Sequence, residues 1–183
     1  MDLLLRDADK LALRFGALVQ EYLVEGVLEA AAAGDVTATQ VAALRYIERH
    51  VPAFVGELSF GLSITPPAAT KTVDRLVGKG LVDRREDPED RRQHLLTLTA
   101  AGQDLLDRVK SAQADRLGAV LGRMEEAERK ALIRGLRGFM TAAFMTSNDL
   151  VGRTCERCGS ECFESCVINQ AHLAIYGQII QPV

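Results

Sequence analysis

The sequence predicts a mainly α protein with one small β-hairpin, and three observations lead there. Apolar residues recur at steps of three and four through most of the chain. Only two short segments, 81–86 and 93–98, read as strands, and they flank a charged, Pro-containing tip, Asp87-Pro88-Glu89-Asp90-Arg91-Arg92. The composition, 183 residues with 48% apolar and 26% charged, supports a buried core in one domain, with or without an appendage. It excludes wholesale disorder and a fibrous chain.

The elements follow in order. Leu4, Ala8, Leu11, Phe15, Leu18 and Tyr22 form a narrow stripe on a long first helix, suited to a helix–helix seam and closed by an Ala run and Gly34. Thr39 is expected to open a second helix carrying Val41, Leu44 and Ile47. Pro52 is expected to start a short third one with Val55, Leu58 and Phe60 inward, broken at Gly61. Thr65 can cap the next helix, with Pro66 in its first turn, where no amide hydrogen is needed. That helix runs toward Gly78 and Gly80 and buries Ala69, Val73, Leu76 and Val77. Its other face carries Ala68, Thr70, Lys71, Thr72 and Arg75, small or hydrogen-bonding side chains that leave room for something to approach. A short helix, a tight turn and a helix with such a face make a helix-turn-helix. After the hairpin, Thr99 caps a long helix through Leu106, Val109, Leu117, Val120 and Met124. A last one runs through Ala131, Ile133, Leu136, Phe139, Met140 and Phe144.

Charge alone does not announce a nucleic-acid partner. Twenty-two Lys and Arg stand against 25 Asp and Glu, a net charge of −3, which argues against nonspecific coating of nucleic acid. Residues 64–99 hold seven basic and six acidic residues, whereas residues 1–30 hold three and six. Placement is more telling. Arg91 and Arg92 sit at a hairpin tip, where a guanidinium can enter a narrow minor groove. Lys71 and Arg75 lie one turn apart on the open helix face, suited to phosphates or guanine edges, and Asp87 and Asp90 are placed to orient the tip arginines.

Several stretches then carry a resemblance: Val55-Gly56-Glu57-Leu58, Ile64 to Lys71, Val73 to Val82, Asp87 to Arg92, and Leu98-Thr99 with Gly102. Together they resemble the winged helix-turn-helix core of MarR-type transcriptional regulators, and the flanking helices match that family's dimerisation region. The similarity spans roughly residues 1–146, with several motifs in order. It implies residues 1–34 and 100–146 as a helical dimerisation region and 35–99 as the winged DNA-binding domain. It also implies a homodimer, expected to be a repressor, on a pseudo-palindromic double-stranded operator. The DNA-facing candidates are Thr65, Pro67, Ala68, Thr70, Lys71, Thr72, Arg75, Arg91 and Arg92.

The resemblance ends near Ser147, and residues 147–183 hold all four cysteines, Cys155, Cys158, Cys162 and Cys166. Cysteines so crowded cannot staple distant parts of a fold, and they point to one local site. On a continuous helix the first and last would lie about 16 Å apart along the axis, beyond one metal ion. The chain is therefore expected to bend near Gly159, with a helix starting around Ser160 that puts Cys162 and Cys166 one turn apart. Short gaps of two and three favour a [4Fe–4S] cluster, with zinc second and free or reversibly oxidised thiols third. His172 is an occasional ligand type, more often a satisfied interfacial histidine.

The leading expectation is a DNA-binding regulator tuned by the metal or redox state of this site. A second is a repressor answering a small-molecule effector, with zinc or redox-active thiols in the tail. A third, an electron-transfer or redox protein, lacks any accompanying second cofactor motif or nucleophile–base pair. Neither a lipid-spanning run nor a signal-peptide pattern is present, so a cytoplasmic location is expected.

Overall fold

The structure is a computed structural model and describes residues 3–90, 92–147, 150–152, 154–155 and 166–178. Helix α1 (Leu3–Val19) continues through a π-helical stretch, Gln20–Glu25, into α2 (Gly26–Ala30). The Arg116 guanidinium lies 4.1 Å from the Tyr22 ring centre, and its Nε donates to the Tyr22 carbonyl at 2.9 Å. A cation over the ring thus also serves a carbonyl of the widened turn.

Helix α3 (Ala38–Arg49) starts one residue earlier than the expected Thr39, because Thr37 is its cap. The Thr37 side chain accepts from the Gln40 amide and the Gln40 side chain accepts from the Thr37 amide, so two orphan donors are satisfied reciprocally. Pro52 does not open the next helix. Ala53–Phe54 forms a short strand, β1, and α4 (Val55–Gly61) begins after it. Phe60, expected inward, is 67% exposed, and the buried end of α4 is Gly61 instead. A Cβ at Gly61 would fall 2.2 Å from the Tyr46 ring, so the glycine lets the aromatic ring close that corner of the core.

Helix α5 (Pro66–Gly78) is capped by Thr65, whose hydroxyl accepts from the Ala68 amide, with prolines in its first turn. It buries Ala69, Val73 and Leu76, while Val77, expected in that stripe, is 38% exposed. Strands β2 (Val82–Glu86) and β3 (His94–Leu98) pair antiparallel from Val82↔Leu98 to Glu86↔His94. β1 adds to the far side of β3, Ala53 opposite Leu96, so the expected hairpin is part of a three-stranded sheet ordered β1-β3-β2. Two long helices follow, α6 (Ala100–Leu121) and α7 (Glu126–Thr146).

The main core joins Val27, Leu44, Ile47, Leu58, Val73, Leu76, Val82, Leu96, Leu106 and Val109. Polar links fix α3 to α6: Arg45 donates to Gln113 at 2.6 Å, and Lys110 pairs with Glu48 at 2.6 Å. A second apolar cluster lies at the end of α7, where Phe144 meets Val151, Cys155, Ile168 and Ala171. Its last helix, α8 (Val167–Tyr176), begins after Cys166, which sits in extended backbone at the cap. Cys166 is therefore not inside this helix, whereas the expected helix start at Ser160 and Cys162 lie outside the described residues. Gly177 ends α8 at φ 73°, a left-handed stop that glycine accepts without strain. Among the described residues no helix is long and apolar enough to cross a membrane.

Candidate nucleic-acid interface and cysteine site

The helix-turn-helix is α4, a turn and α5, and its outer face is built by the first turns of α5. Thr65, Pro67, Ala68, Thr70, Lys71 and Arg75 are exposed there, and Thr72 is half-buried. The hydroxyls of Thr70 and Thr72 donate back to the carbonyls of Pro66 and Ala68, at 3.1 and 2.8 Å. Each hydroxyl, having donated its hydrogen, keeps lone pairs able to accept a hydrogen bond. Lys71 and Arg75 make no ion pair or hydrogen bond with the described residues, so both cations are available to phosphates or base edges.

The C-terminal half of this helix is tied to its neighbours. Lys79, just past α5, reaches the loop before α3, with Nζ 2.7 Å from the Asp35 carboxylate and within hydrogen-bond reach of Gln40. This cation, by its hydrogen bond first and its charge second, holds the Asp35 carboxyl below its ordinary value of 3.8. On the outer side Asp74 accepts from the Arg84 guanidinium of β2 at 3.1 Å. The pair ties the wing to the recognition helix, a contact that sequence spacing alone does not reveal because ten residues and a turn separate the partners.

At the wing tip the acidic residues do something other than expected. Asp87 accepts from the Glu89 amide, and Asp90 accepts from the Arg92 amide and the Gln93 side chain. They shape the turn's backbone rather than orient the Arg92 guanidinium, as short acidic side chains commonly do in tight turns. Arg92 is exposed at the tip; Arg91 lies outside the described residues.

Known proteins share this arrangement. Residues 34–93 match the sequence model of the MarR family. Residues 34–93 are thus a winged helix similar to that of MarR-type transcriptional regulators. It is 27% identical over 122 residues to the HTH-type transcriptional regulator YhbI of Bacillus subtilis, covering 67% of this chain and 77% of that one. The crystal structure of RV1404 from Mycobacterium tuberculosis superposes with a TM-score of 0.65 at 28% identity, over 78% of this chain and 95% of that one. A mutant MarR from E. coli, solved in complex with operator DNA, superposes with a TM-score of 0.57 at 26% identity, over 76% and 99%. MarR-type regulators are DNA-binding proteins rather than enzymes, so the winged helix supports the DNA-binding regulator among the three expectations.

The cysteine segment lies beyond the matched region. Cys155 is buried and Cys166 half-buried, and both belong to the apolar cluster against α7. The expected bend near Gly159 lies outside the described residues. Cys158 and Cys162 lie outside the described residues. Among the described residues no group of three or more His, Cys, Asp or Glu is gathered. His172 is engaged elsewhere, its Nδ1 2.7 Å from the Gln178 carbonyl and its ring against Tyr176. One contact to the cysteines had no local signature: Arg49, the last residue of α3, donates to the Cys155 carbonyl at 2.8 Å and approaches its Sγ at 3.5 Å.

Proposed function

We propose that this regulator acts as a homodimeric repressor on a pseudo-palindromic operator. Recognition-helix residues Thr65 to Arg75 lie in the major groove and the wing arginines in the minor groove. The observation that carries the DNA reading is the cationic face of α5, where Lys71 and Arg75 pair with none of the described residues, on a fold shared with an operator-bound relative. Self-association is supported by α1, which has no buried residue although Leu4, Leu11 and Leu18 are 75%, 66% and 60% exposed. A stripe of that size in water marks a face for another surface, and Ile133 and Phe139 of α7 are similarly open. A two-fold dimer presents two recognition helices to two half-sites.

The affinity of this dimer is set by a metal centre, a [4Fe–4S] cluster in the first instance and zinc in the second, held by Cys155, Cys158, Cys162 and Cys166. What supports it is the convergence of Cys155 and Cys166 in one apolar cluster packed on the end of α7, a setting that shields a centre from solvent. Anaerobic purification followed by a visible spectrum and iron, sulfide and zinc analysis tests it. Colourless protein without either metal would refute the metal centre. DNA binding is tested separately, by titrating a duplex from the promoter of its own operon at several salt concentrations. Arg92→Ala should weaken that binding; affinity equal to wild type counts against the wing assignment.

A second reading, response to a small apolar effector, draws on a cavity of about 170 Å³ lined by Leu23, Val27, Val41, Val109 and the hydrogen-bonded pair Arg45 and Gln113. It ranks second because common ligand pockets measure roughly 300–1,000 Å³.

A further inference from the structure

A cleft of about 440 Å³ opens where α6 meets the winged domain, and it shares no lining residue with the smaller cavity beside Arg45 and Gln113. Its buried lining is aliphatic, from Ala33, Val36, Leu81 and Leu105. Its charged lining is of mixed sign. One pair is already closed, Lys79 at the end of α5 with Asp35 of the loop before α3, at 2.7 Å. The other charges, Asp104 and Arg108, stand one turn apart on α6 and are exposed. An Asp four residues before an Arg is spaced to pair with it on a helix. Neither nonetheless makes an ion pair or hydrogen bond with the described residues, so each charge is open to a ligand.

The signs decide what fits. A simple anion drawn to Arg108 meets the Asp104 carboxylate, and a simple cation drawn to Asp104 meets the guanidinium. Lys79 and Asp35 neutralise each other and favour neither. A ligand with an ammonium and a carboxylate a few ångströms apart satisfies both α6 side chains at once, by charge-assisted hydrogen bonds. The aliphatic lining then receives an apolar side chain, which gains by leaving water. The volume falls among those of small-molecule sites, roughly 300–1,000 Å³. We propose that this cleft binds a small α-amino acid with an aliphatic side chain, its ammonium on Asp104 and its carboxylate on Arg108.

The position of the cleft links its occupancy to the DNA-binding helices, a step that rests on the DNA-binding reading above. Lys79 caps the recognition helix, and the Leu81 carbonyl two residues on accepts from the Thr99 amide, at the cap of α6, at 3.1 Å. A ligand held by Asp104 and Arg108 against Val36 and Leu81 therefore favours one spacing of α6 from the end of α5. A ligand that prefers one arrangement shifts the population by its difference in affinity for the two. Such coupling commonly amounts to a factor of roughly 5–150.

The test uses the full chain and three probes of similar carbon skeleton: L-leucine, 4-methylpentanoate, which lacks the ammonium, and 3-methylbutylamine, which lacks the carboxylate. Calorimetric titration to about 10 mM reaches the weak end of the affinities expected for exposed charges. L-leucine is expected to bind once per protomer, and each half-ligand more weakly by roughly tenfold, because each drops one charge-assisted contact. Arg108→Gln should weaken L-leucine by a similar factor and leave 3-methylbutylamine unchanged. Asp104→Asn should weaken L-leucine and leave 4-methylpentanoate no weaker. Both positions are exposed, so the circular dichroism spectrum should stay that of wild type, and the half-ligand comparison needs no substitution at all. Saturating L-leucine should change wild-type affinity for a duplex from the promoter of its own operon by a factor of roughly 5 or more.

No saturable binding of L-leucine, half-ligands that bind as tightly, or L-leucine affinity unchanged in both variants would overturn the site. L-leucine bound with no change in DNA affinity overturns the link to the DNA-binding helices and leaves the site standing. A wild type that binds no duplex at any salt concentration overturns the DNA-binding reading and that link together, while the calorimetry still decides the site.

Discussion

Gly102→Ala tests the packing where the dimerisation helices meet the winged domain, because helix propensity and tertiary structure predict opposite signs. Gly102 lies in the first turn of α6 and is buried. Propensity alone says that alanine stabilises a helical position over glycine by about 1 kcal/mol. A Cβ there, however, would fall 2.1 Å from the Leu81 carbonyl oxygen and 3.0 Å from its carbon, where ordinary contact begins at 3.4 Å. The atoms in the way are backbone and cannot rotate aside, so α6 must withdraw by about 1.3 Å, the difference between 3.4 and 2.1 Å.

Two hydrogen bonds cross that gap, Thr99 amide to Leu81 carbonyl at 3.1 Å and Thr99 hydroxyl to Gly80 carbonyl at 2.7 Å. Overpacking costs about 1–3 kcal/mol and each strained hydrogen bond about 0.5–1.5 kcal/mol, against the propensity gain of about 1 kcal/mol. The net expectation is a loss of about 1–5 kcal/mol, or a melting temperature lower by about 2–20 °C for a chain of this size. Urea unfolding followed by circular dichroism, with calorimetry at fixed protomer concentration, measures it. Gly118→Ala in the same helix is the control: its Cβ meets nothing within 4 Å, so it should stabilise by up to about 1 kcal/mol. Gly102→Ala protein as stable as wild type, or more so, would refute the reasoning.

Three further outcomes are expected. Phe15→Glu, in the open α1 stripe, should convert a dimer to monomers in light scattering while leaving the helical circular dichroism spectrum in place; an unchanged mass would move the interface elsewhere. Lys71→Ala should weaken binding to all sequences alike and flatten the salt dependence by roughly 0.9 in slope for each phosphate left without its cation, hence roughly 1.8 for two copies in a dimer. A slope equal to wild type would remove Lys71 from the phosphate-binding set. Asp35 has a folded-state pKa depressed by Lys79, so its contribution to stability is present above 3.8 and is lost as pH falls from there through the lower folded value. The stability gap between wild type and Asp35→Asn should therefore be constant near neutrality and shrink in acid, and a gap that persists at low pH would show that the pair contributes nothing.

Much of this molecule is legible in the chain because the signals are local. The stripes of α1, α6 and α7, the Thr65 and Thr99 caps, the prolines opening α5 and the turn residues of the wing each act within a few residues. They suffice for a helix-turn-helix beside a hairpin. The candidate DNA-facing positions could be named for the same reason, since a helical face is a matter of spacing.

Tertiary structure decided what depends on distant partners. Ala53–Phe54 is too short to announce itself as a strand and becomes one only because β3 offers an edge. Phe60 and Val77 read as core by periodicity and are exposed because no described element of the chain covers them. Asp74 with Arg84, and Arg49 with Cys155, meet through the fold and carry no mark in the spacing of either partner. Local pattern thus fixed which helices form and which faces they offer. Long-range packing determined that α3 would join the cysteine segment to the recognition helix, because only the closed core brings residues 106 apart within hydrogen-bond distance.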